Sequence, residues 1–337
     1  MTYSILARDA RTGDLGVAVQ SHFFGIGRLV PWARAGLGVA VTQSIIEPSY
    51  GPEGLDLLAQ GYGPRDALVR LTGVDPRSEI RQVALMDVRG QVAVHTGSDC
   101  IPAAGHVIGD GVSAQANLVE SAHVWPAMID AFDRTGGDLA HRLLAALEAA
   151  EGCGGDIRGQ QSAALVIVRG RASGRLADDL VMDLRVDDSV DPLRELARLI
   201  ERAGALGGLL RLLETDGLFS GPFAASRRDL DDALAELDRG QAILGPANLE
   251  PTVWKGLLLA RAGRDVEASA ALRRAAEADA RAPELVRRLA ASGMWVRPLD
   301  DLDTVLLRPP TDAGRARASP STIRRSKESS RKRRMAR

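Results

Sequence analysis

From Pro192 on, the apolar residues of this chain show helical spacing only, and that change limits the fold more than any other feature. Before it, segments that alternate apolar and polar residues are interleaved with helical ones; after it, every segment repeats at helical spacing. TYSILAR (2–8) and LGVAVQS (15–21) have the period of half-buried strands, and the polar DARTGD between them supplies turn chemistry, so the chain opens on a β-hairpin. LGVAVTQS (37–44) reads as a third strand. GPEGLDLLAQG (51–61) and PRDALVRLTG (64–73) read as short helices. RQVALMDVRGQVAVHTG (81–97) is a hairpin turning at Arg89-Gly90, and AGHVIGDGVSAQAN (104–117) is another, turning at Gly109-Asp110-Gly111. HVWPAMIDAFDRT (123–135) and DLAHRLLAALEAAEG (138–152) predict amphipathic helices, followed by strands in SAALVIVRG (162–170) and DLVMDLRVDD (179–188). Strands, then paired helices, then strands again predict a layered α+β domain with mostly antiparallel sheets, not a doubly wound parallel one.

From Pro192 on, helices are expected in 191–204, 229–244, 251–263, 265–280 and 283–292. The stretch from Asp232 lines up with that from Glu267, an offset close to the tetratricopeptide period of about 34 residues. TVWKGLLLARAGRDVEASAALRRAAEADARAPEL (252–285) resembles one full tetratricopeptide repeat. Trp254, Gly256, Leu257, Ala260, Gly263, Ala268, Leu272, Ala275 and Ala276 are the knobs and holes of its helix pair. The expected organisation is a sheet domain over 1–190, a small all-α region over 191–298 and a disordered basic tail over 299–337.

That tail explains a net charge that misleads. Residues 308–337 hold eleven Arg and Lys against Asp312 and Glu328, a balance of +9, so with the whole chain at −1 the other 307 residues carry −10. A basic arm of this kind can hold nucleic acid or an acidic partner through salt-sensitive contacts that carry no sequence specificity, but a solvated tail of no specific function is the favoured expectation. With 45% hydrophobic and 26% charged residues and no long apolar run, a soluble protein with no membrane partner is expected. Arg8, Asp9, Arg11 and Asp14 interrupt any leader pattern, which makes cytoplasmic residence the expectation. Two cysteines outside any zinc or redox spacing predict no metal and no cofactor.

The chemistry starts at Thr2. Once Met1 is removed, a threonine at the first position has a hydroxyl nucleophile beside its own α-amine, whose pKa of about 7.7–8.0 suits a base at neutral pH. While Met1 remains, that nitrogen is an amide and cannot act. Gln20, Ser21 and His22 end the second strand and Gln43 and Ser44 the third, where functional side chains gather at a sheet rim. Gln20, Gln43 and Asn117 are expected as oxyanion donors, since an amide N–H meets developing charge without first losing a proton; capping of exposed strand ends is the alternative. Ser21 and His22 are strand neighbours on opposite faces, which forbids a Ser–His couple and leaves them as substrate contacts. In GCGGDIRGQQSAALVIV (152–168) the glycines permit a tight loop presenting Asp156, Arg158, Gln160 and Gln161, with Asp156 posing Arg158 to grip a substrate carboxylate or simply tying the loop down. Only Lys255, Lys327 and Lys332 occur, so no lysine base is available earlier in the chain.

MTYSILARD, LGVAVQSHFFGIG, VPWARAGLGVAVTQS, YGPEGLDLLAQG and GGDIRGQQSAAL, in that order over about residues 1–190, resemble a mainly bacterial family of unknown function grouped with the N-terminal nucleophile (Ntn) hydrolases. The resemblance implies a four-layer αββα sandwich and a Thr, Ser or Cys nucleophile acting on amides; only Thr2 occupies the matching strand start. Proteasome-like members use a lysine near the nucleophile, so here only the self-base scheme applies. The expected function is hydrolysis of a small-molecule or peptide amide. The alternative is a non-catalytic Ntn-like scaffold that docks a protein partner on its helical region. Either is compatible with a homo-oligomer.

Overall fold

Four tight hairpins set the register of two stacked sheets. A computed structural model describes residues 2–294, and it separates into two units, 1–208 and the chain from Leu209 on. Met1 and the basic tail lie outside the described residues.

In the first unit, β1 (Thr2–Arg8), β2 (Leu15–Ser21), β7 (Gly105–Gly109), β8 (Val112–Asn117), β9 (Ser162–Val168) and β10 (Leu180–Val186) form a six-stranded sheet in the order β10-β9-β2-β1-β8-β7. A four-stranded sheet follows the order β3-β4-β5-β6, with β3 at Pro31–Arg34, β4 at Gly38–Ser44, β5 at Arg81–Asp87 and β6 at Val92–Thr96. Each neighbouring pair is antiparallel. The first hairpin closes because Asp9 Oδ1 accepts from the Arg11 and Thr12 N–H groups while Gly13 takes φ 79°, a value only glycine adopts cheaply. The hairpin of β5 and β6 closes the same way: Asp87 accepts from Arg89 and Gln91, and Gly90 is left-handed. Strand β3 was not expected from the sequence. Its four residues are too few to show a period.

Helices cover both outer faces. Tyr3, Ile5 and Ala7 of β1 pack on Met128 and Phe132 of α3 (Val124–Arg134) and on Leu143 and Leu147 of α4 (Leu139–Gly152). The alternate residues of the same strands turn the other way, so Leu6, Val17 and Val19 meet Val39, Val41, Ala84 and Met86 of the second sheet. On that sheet's outer face Ala40, Val83 and Leu85 pack on α1 (Tyr50–Ala59) and α2 (Pro64–Val74) through Leu55, Leu58 and Leu71. Each fully buried side chain of this kind contributes roughly 1.5–3 kcal/mol, which makes the alternation of the strands a strong constraint on register. The order of layers is helix, sheet, sheet, helix.

A short α5 (Leu176–Asp179) precedes β10, and α6 runs over Pro192–Glu214. The first unit extends past the expected end at 190, because Leu193, Leu196 and Ile200 of α6 are buried in the same core as Tyr3 and Leu143.

The second unit is all-helical among the described residues: the end of α6, then α7 (Arg227–Leu244), α8 (Glu250–Arg261), α9 (Asp265–Ala278) and α10 (Ala282–Leu289). Ser226 and Asp229 form a reciprocal capping box at the start of α7. Trp254, Leu257 and Leu258 of α8 pack against Leu272 and Ala275 of α9, and Trp254 meets Phe219 edge-to-face at 5.4 Å. A Cβ on Gly256 would collide with the Leu272 side chain, so the glycine lets the two helices approach. Gly263, at φ 75°, makes the turn between them.

Candidate functional site

Thr2 begins the strand at the middle of the six-stranded sheet, opposite Asn117 of β8, and is 2% exposed. Strand alternation sends its side chain toward the second sheet, with Ser4 and Leu6. Its Oγ1 donates to Ser21 Oγ at 3.2 Å. Both hydroxyl-bearing residues line a cavity of about 620 Å³ whose other polar members are Ser44 and Arg158. The rest of its wall is apolar, formed by Phe23, Ile26, Leu29, Ile45, Ile46, Pro48, Ile101 and Leu118. Three non-glycine residues among those described have positive φ, and two of them, Ser44 at 69° and Leu118 at 51°, are in this wall. Such conformations cost of order 1–3 kcal/mol each and persist where the surrounding structure enforces them, which marks the cavity as a built feature.

A seam of buried amides lies between the sheets directly below Thr2. Ser4 Oγ donates to Gln43 Oε1 at 2.7 Å, and Gln115 Nε2 donates to Ser4 Oγ at 2.7 Å. Gln43 Nε2 reaches Gln82 Oε1 at 2.7 Å and the Thr2 carbonyl at 3.4 Å. Gln82 Oε1 also accepts from Asn117 Nδ2 at 3.0 Å, and its Nε2 donates to Thr96 Oγ1 and to the Gly105 and Ala116 carbonyls. All these amides are fully buried. Polar groups in such a low-dielectric seam are held tightly when paired, so the start of β1 is fixed through its carbonyl.

This geometry separates the expected oxyanion donors. Gln20 pairs with Tyr3 across the hairpin and shares its face, toward the helices and away from Thr2. Strand parity is the reason: Ser21, one residue on, is the one that meets Thr2. Gln20 is 0% exposed and neither of its amide atoms has a hydrogen-bond partner among the described residues. Gln43 is on the correct face, but its amide nitrogen is engaged with Gln82 and the Thr2 carbonyl, a positioning place instead of an oxyanion one. Asn117 neighbours Thr2 with its Nδ2 engaged and its Oδ1 buried without a partner among the described residues.

The loop after α4 arrives at the same rim. Asp156 is buried and accepts from the N–H of His22 and of Arg158 at 3.0 Å each, and from Arg158 Nε at 3.2 Å and Nη2 at 3.0 Å. Burial alone would push its carboxyl up; the Arg158 guanidinium and the two N–H groups outweigh burial and hold it below the usual carboxylate range. Gly155 at φ 53° and Gly159 at φ 98° shape this loop. His22 Nδ1 approaches the Gln160 carbonyl at 3.3 Å. The Gln161 N–H donates to the Ser21 carbonyl, and its amide reaches Asp188, so Gln160 and Gln161 brace the rim while Arg158 alone of the loop lines the cavity. The residues missed in the sequence, Gln82 and Gln115, had a signal: a glutamine inside a strand buried on both faces is in most cases paired, although Gln20 is an exception here.

Among the described residues no cluster of metal-ligating residues occurs, no helix is long and apolar enough to cross a membrane, and Cys100 and Cys153 are free thiols. No curated relative matches the chain. The crystal structure of protein SPO2555 from Silicibacter pomeroyi, itself assigned to the family model DUF1028, is similar at 32% identity and a TM-score of 0.55, over 60% of this chain and 88% of that one. The model of the family of unknown function DUF1028 matches residues 2–196, the span that contains Thr2, the amide seam and the whole cavity wall. The chain therefore belongs to the DUF1028 family.

Proposed function

We propose that the sheet unit is an Ntn-type amidohydrolase whose nucleophile is Thr2 after removal of Met1. The observation that carries this reading is the placement of the Thr2 hydroxyl, at the head of a central strand, in the wall of a cavity and 3.2 Å from Ser21 Oγ. The helix–sheet–sheet–helix order supports it, since that is the layering the family resemblance implies.

In the proposed reaction the free α-amine of Thr2 takes the proton from Oγ1 as the oxygen attacks the amide carbonyl. The C–N bond breaks, the amine leaves with that proton, and an ester on Thr2 remains. Water, deprotonated by the same amine, then releases the carboxylic acid and restores the hydroxyl. Ser21 orients Oγ1. In the second unit, the close α8–α9 pair and its glycine turn support a tetratricopeptide-like assignment.

The test is the mass of the amino terminus in purified protein together with turnover of an amide panel by the wild type and Thr2→Ala. Loss of Met1 and turnover that vanishes in Thr2→Ala are expected. Met1 retained in material that turns over amides overturns the mechanism.

A further inference from the structure

The cavity at Thr2 is mostly hydrocarbon, and its composition points to what enters it. Ile26, Leu29, Ile46, Ile101 and Leu118 come from four separate stretches of chain and converge on one space. Phe23 and Ile45 continue the apolar surface out to solvent, 44% and 40% exposed. Large side chains left this open at the mouth of an apolar cavity are a cost to the free protein unless something covers them, and they sit beside the proposed nucleophile.

One charged group belongs to this wall. Arg158 is 36% exposed at the side chain, and Asp156, with a wholly buried carboxylate, fixes its guanidinium from behind. Asp156 Oδ1 and Oδ2 take Arg158 Nε and Nη2, which fixes the plane of the guanidinium while the side chain stays part-exposed at the cavity. A guanidinium carries five N–H donors, so one posed in this way can also meet the carboxylate of a ligand.

We infer that the ligand of this cavity is an amide carrying both an aliphatic chain and a carboxylate, of the N-acyl amino acid class, with the chain against the isoleucine and leucine wall and the carboxylate at Arg158. The inference deepens the reading of Thr2 as an amide nucleophile and rests on it for the reaction alone: water is consumed, the amide C–N bond breaks, and a fatty acid and an amino acid are released. Binding is independent of that step.

Isothermal titration calorimetry on the full-length chain, wild type and Thr2→Ala, with N-octanoylglycine, N-acetylglycine and octanamide separates the two contributions. N-octanoylglycine is expected to bind at least about ten-fold tighter than either of the others, since one lacks the chain and the other the carboxylate. Arg158→Gln is expected to lower its affinity about ten-fold and leave octanamide unchanged, and Ile46→Ser to weaken both octanoyl compounds and not N-acetylglycine. Equal affinities for the three compounds in the unaltered cavity, or no binding of N-octanoylglycine, overturn the inference without recourse to any variant that might misfold. Tight binding of N-octanoylglycine with no hydrolysis by Met1-free wild type supports the ligand class and overturns the Thr2 chemistry. Hydrolysis of amides without preference for chain or carboxylate does the reverse.

Discussion

The hydroxyls of Thr2 and Ser21 meet at 3.2 Å although nineteen positions separate them, because the hairpin pairs Tyr3 with Gln20 and so brings the residues just beyond that pair to one end of the sheet and one face. The register of a single hairpin therefore decides which polar residue of QSH touches the candidate nucleophile. It selects Ser21, and the same parity sends Gln20 to the helices.

If Ser21 orients the Thr2 hydroxyl, Ser21→Ala lowers kcat by about ten-fold with little change in KM, whereas Thr2→Ala abolishes turnover and Thr2→Ser retains part of it. Steady-state kinetics on the best amide of the panel, with circular dichroism to establish folding, measure this. Full activity in Thr2→Ala removes the nucleophile from consideration.

Gln20 carries an unsatisfied amide into an apolar layer, a cost of about 1–3 kcal/mol. Gln20→Met, similar in length and without hydrogen-bonding demand, is expected to leave stability unchanged or raise it, with amide turnover intact. Urea denaturation reads the first and kinetics the second; a loss of turnover would return Gln20 to the site.

Gln82 joins Gln43 and Asn117 through one oxygen, so Gln82→Leu strands two buried amides at once. A loss of about 3 kcal/mol is expected, with the start of β1 loosened. The same denaturation experiment, paired with amide exchange at Tyr3 and Ser4, checks both statements, and a variant as stable as the wild type contradicts the role of the seam.

His141 links the N-terminus of α4 to α6, with Nδ1 2.6 Å from Asp138 Oδ1 and Nε2 3.0 Å from Glu201 Oε1. Its hydrogen bonds to Glu201 and then Asp138 raise its pKa against the effect of burial. A group with a raised folded pKa contributes stability in full below its unfolded pKa and loses it as pH rises through the folded value. The first unit is therefore expected to be slightly more stable below about pH 6.5 than at pH 8, by less than about 1 kcal/mol because the pair is half-exposed. Thermal unfolding of wild type and His141→Ala across that range tests this; the difference between the two pH values should disappear in the variant.

Asp156 has the opposite sign. Its carboxyl lies below the usual range, so its contribution is present above the ordinary carboxylate pKa of about 3.9 and is lost as pH falls through the lower folded value. Asp156→Asn should flatten the acid limb of the stability curve and, by releasing Arg158, weaken binding of N-octanoylglycine at neutral pH. An unaltered acid limb would contradict the first part.

Much of this protein was readable along the chain. Alternation in TYSILAR and LGVAVQS, an aspartate and a glycine in the turns after β1, β5 and β7, and the change to helical spacing alone from Pro192 are local properties, and local backbone preference and burial period express them directly. The expectations that Thr2 begins a strand and that the loop of Asp156 and Arg158 is a tight glycine-shaped one came from the same information; that the two meet at one rim did not. What alternation cannot say is which of two buried faces a residue joins, because in a sheet covered on both sides both sets are apolar; only the stacking of the second sheet places Ser4, Gln115 and Asn117 inside and Gln20 outside. Nor does any local pattern announce that Ile26, Ile46, Ile101 and Leu118 share one cavity, or that Ser44 and Leu118 take left-handed backbone there. Those relations depend on contacts between residues far apart in the chain, which exist only once the layers have packed.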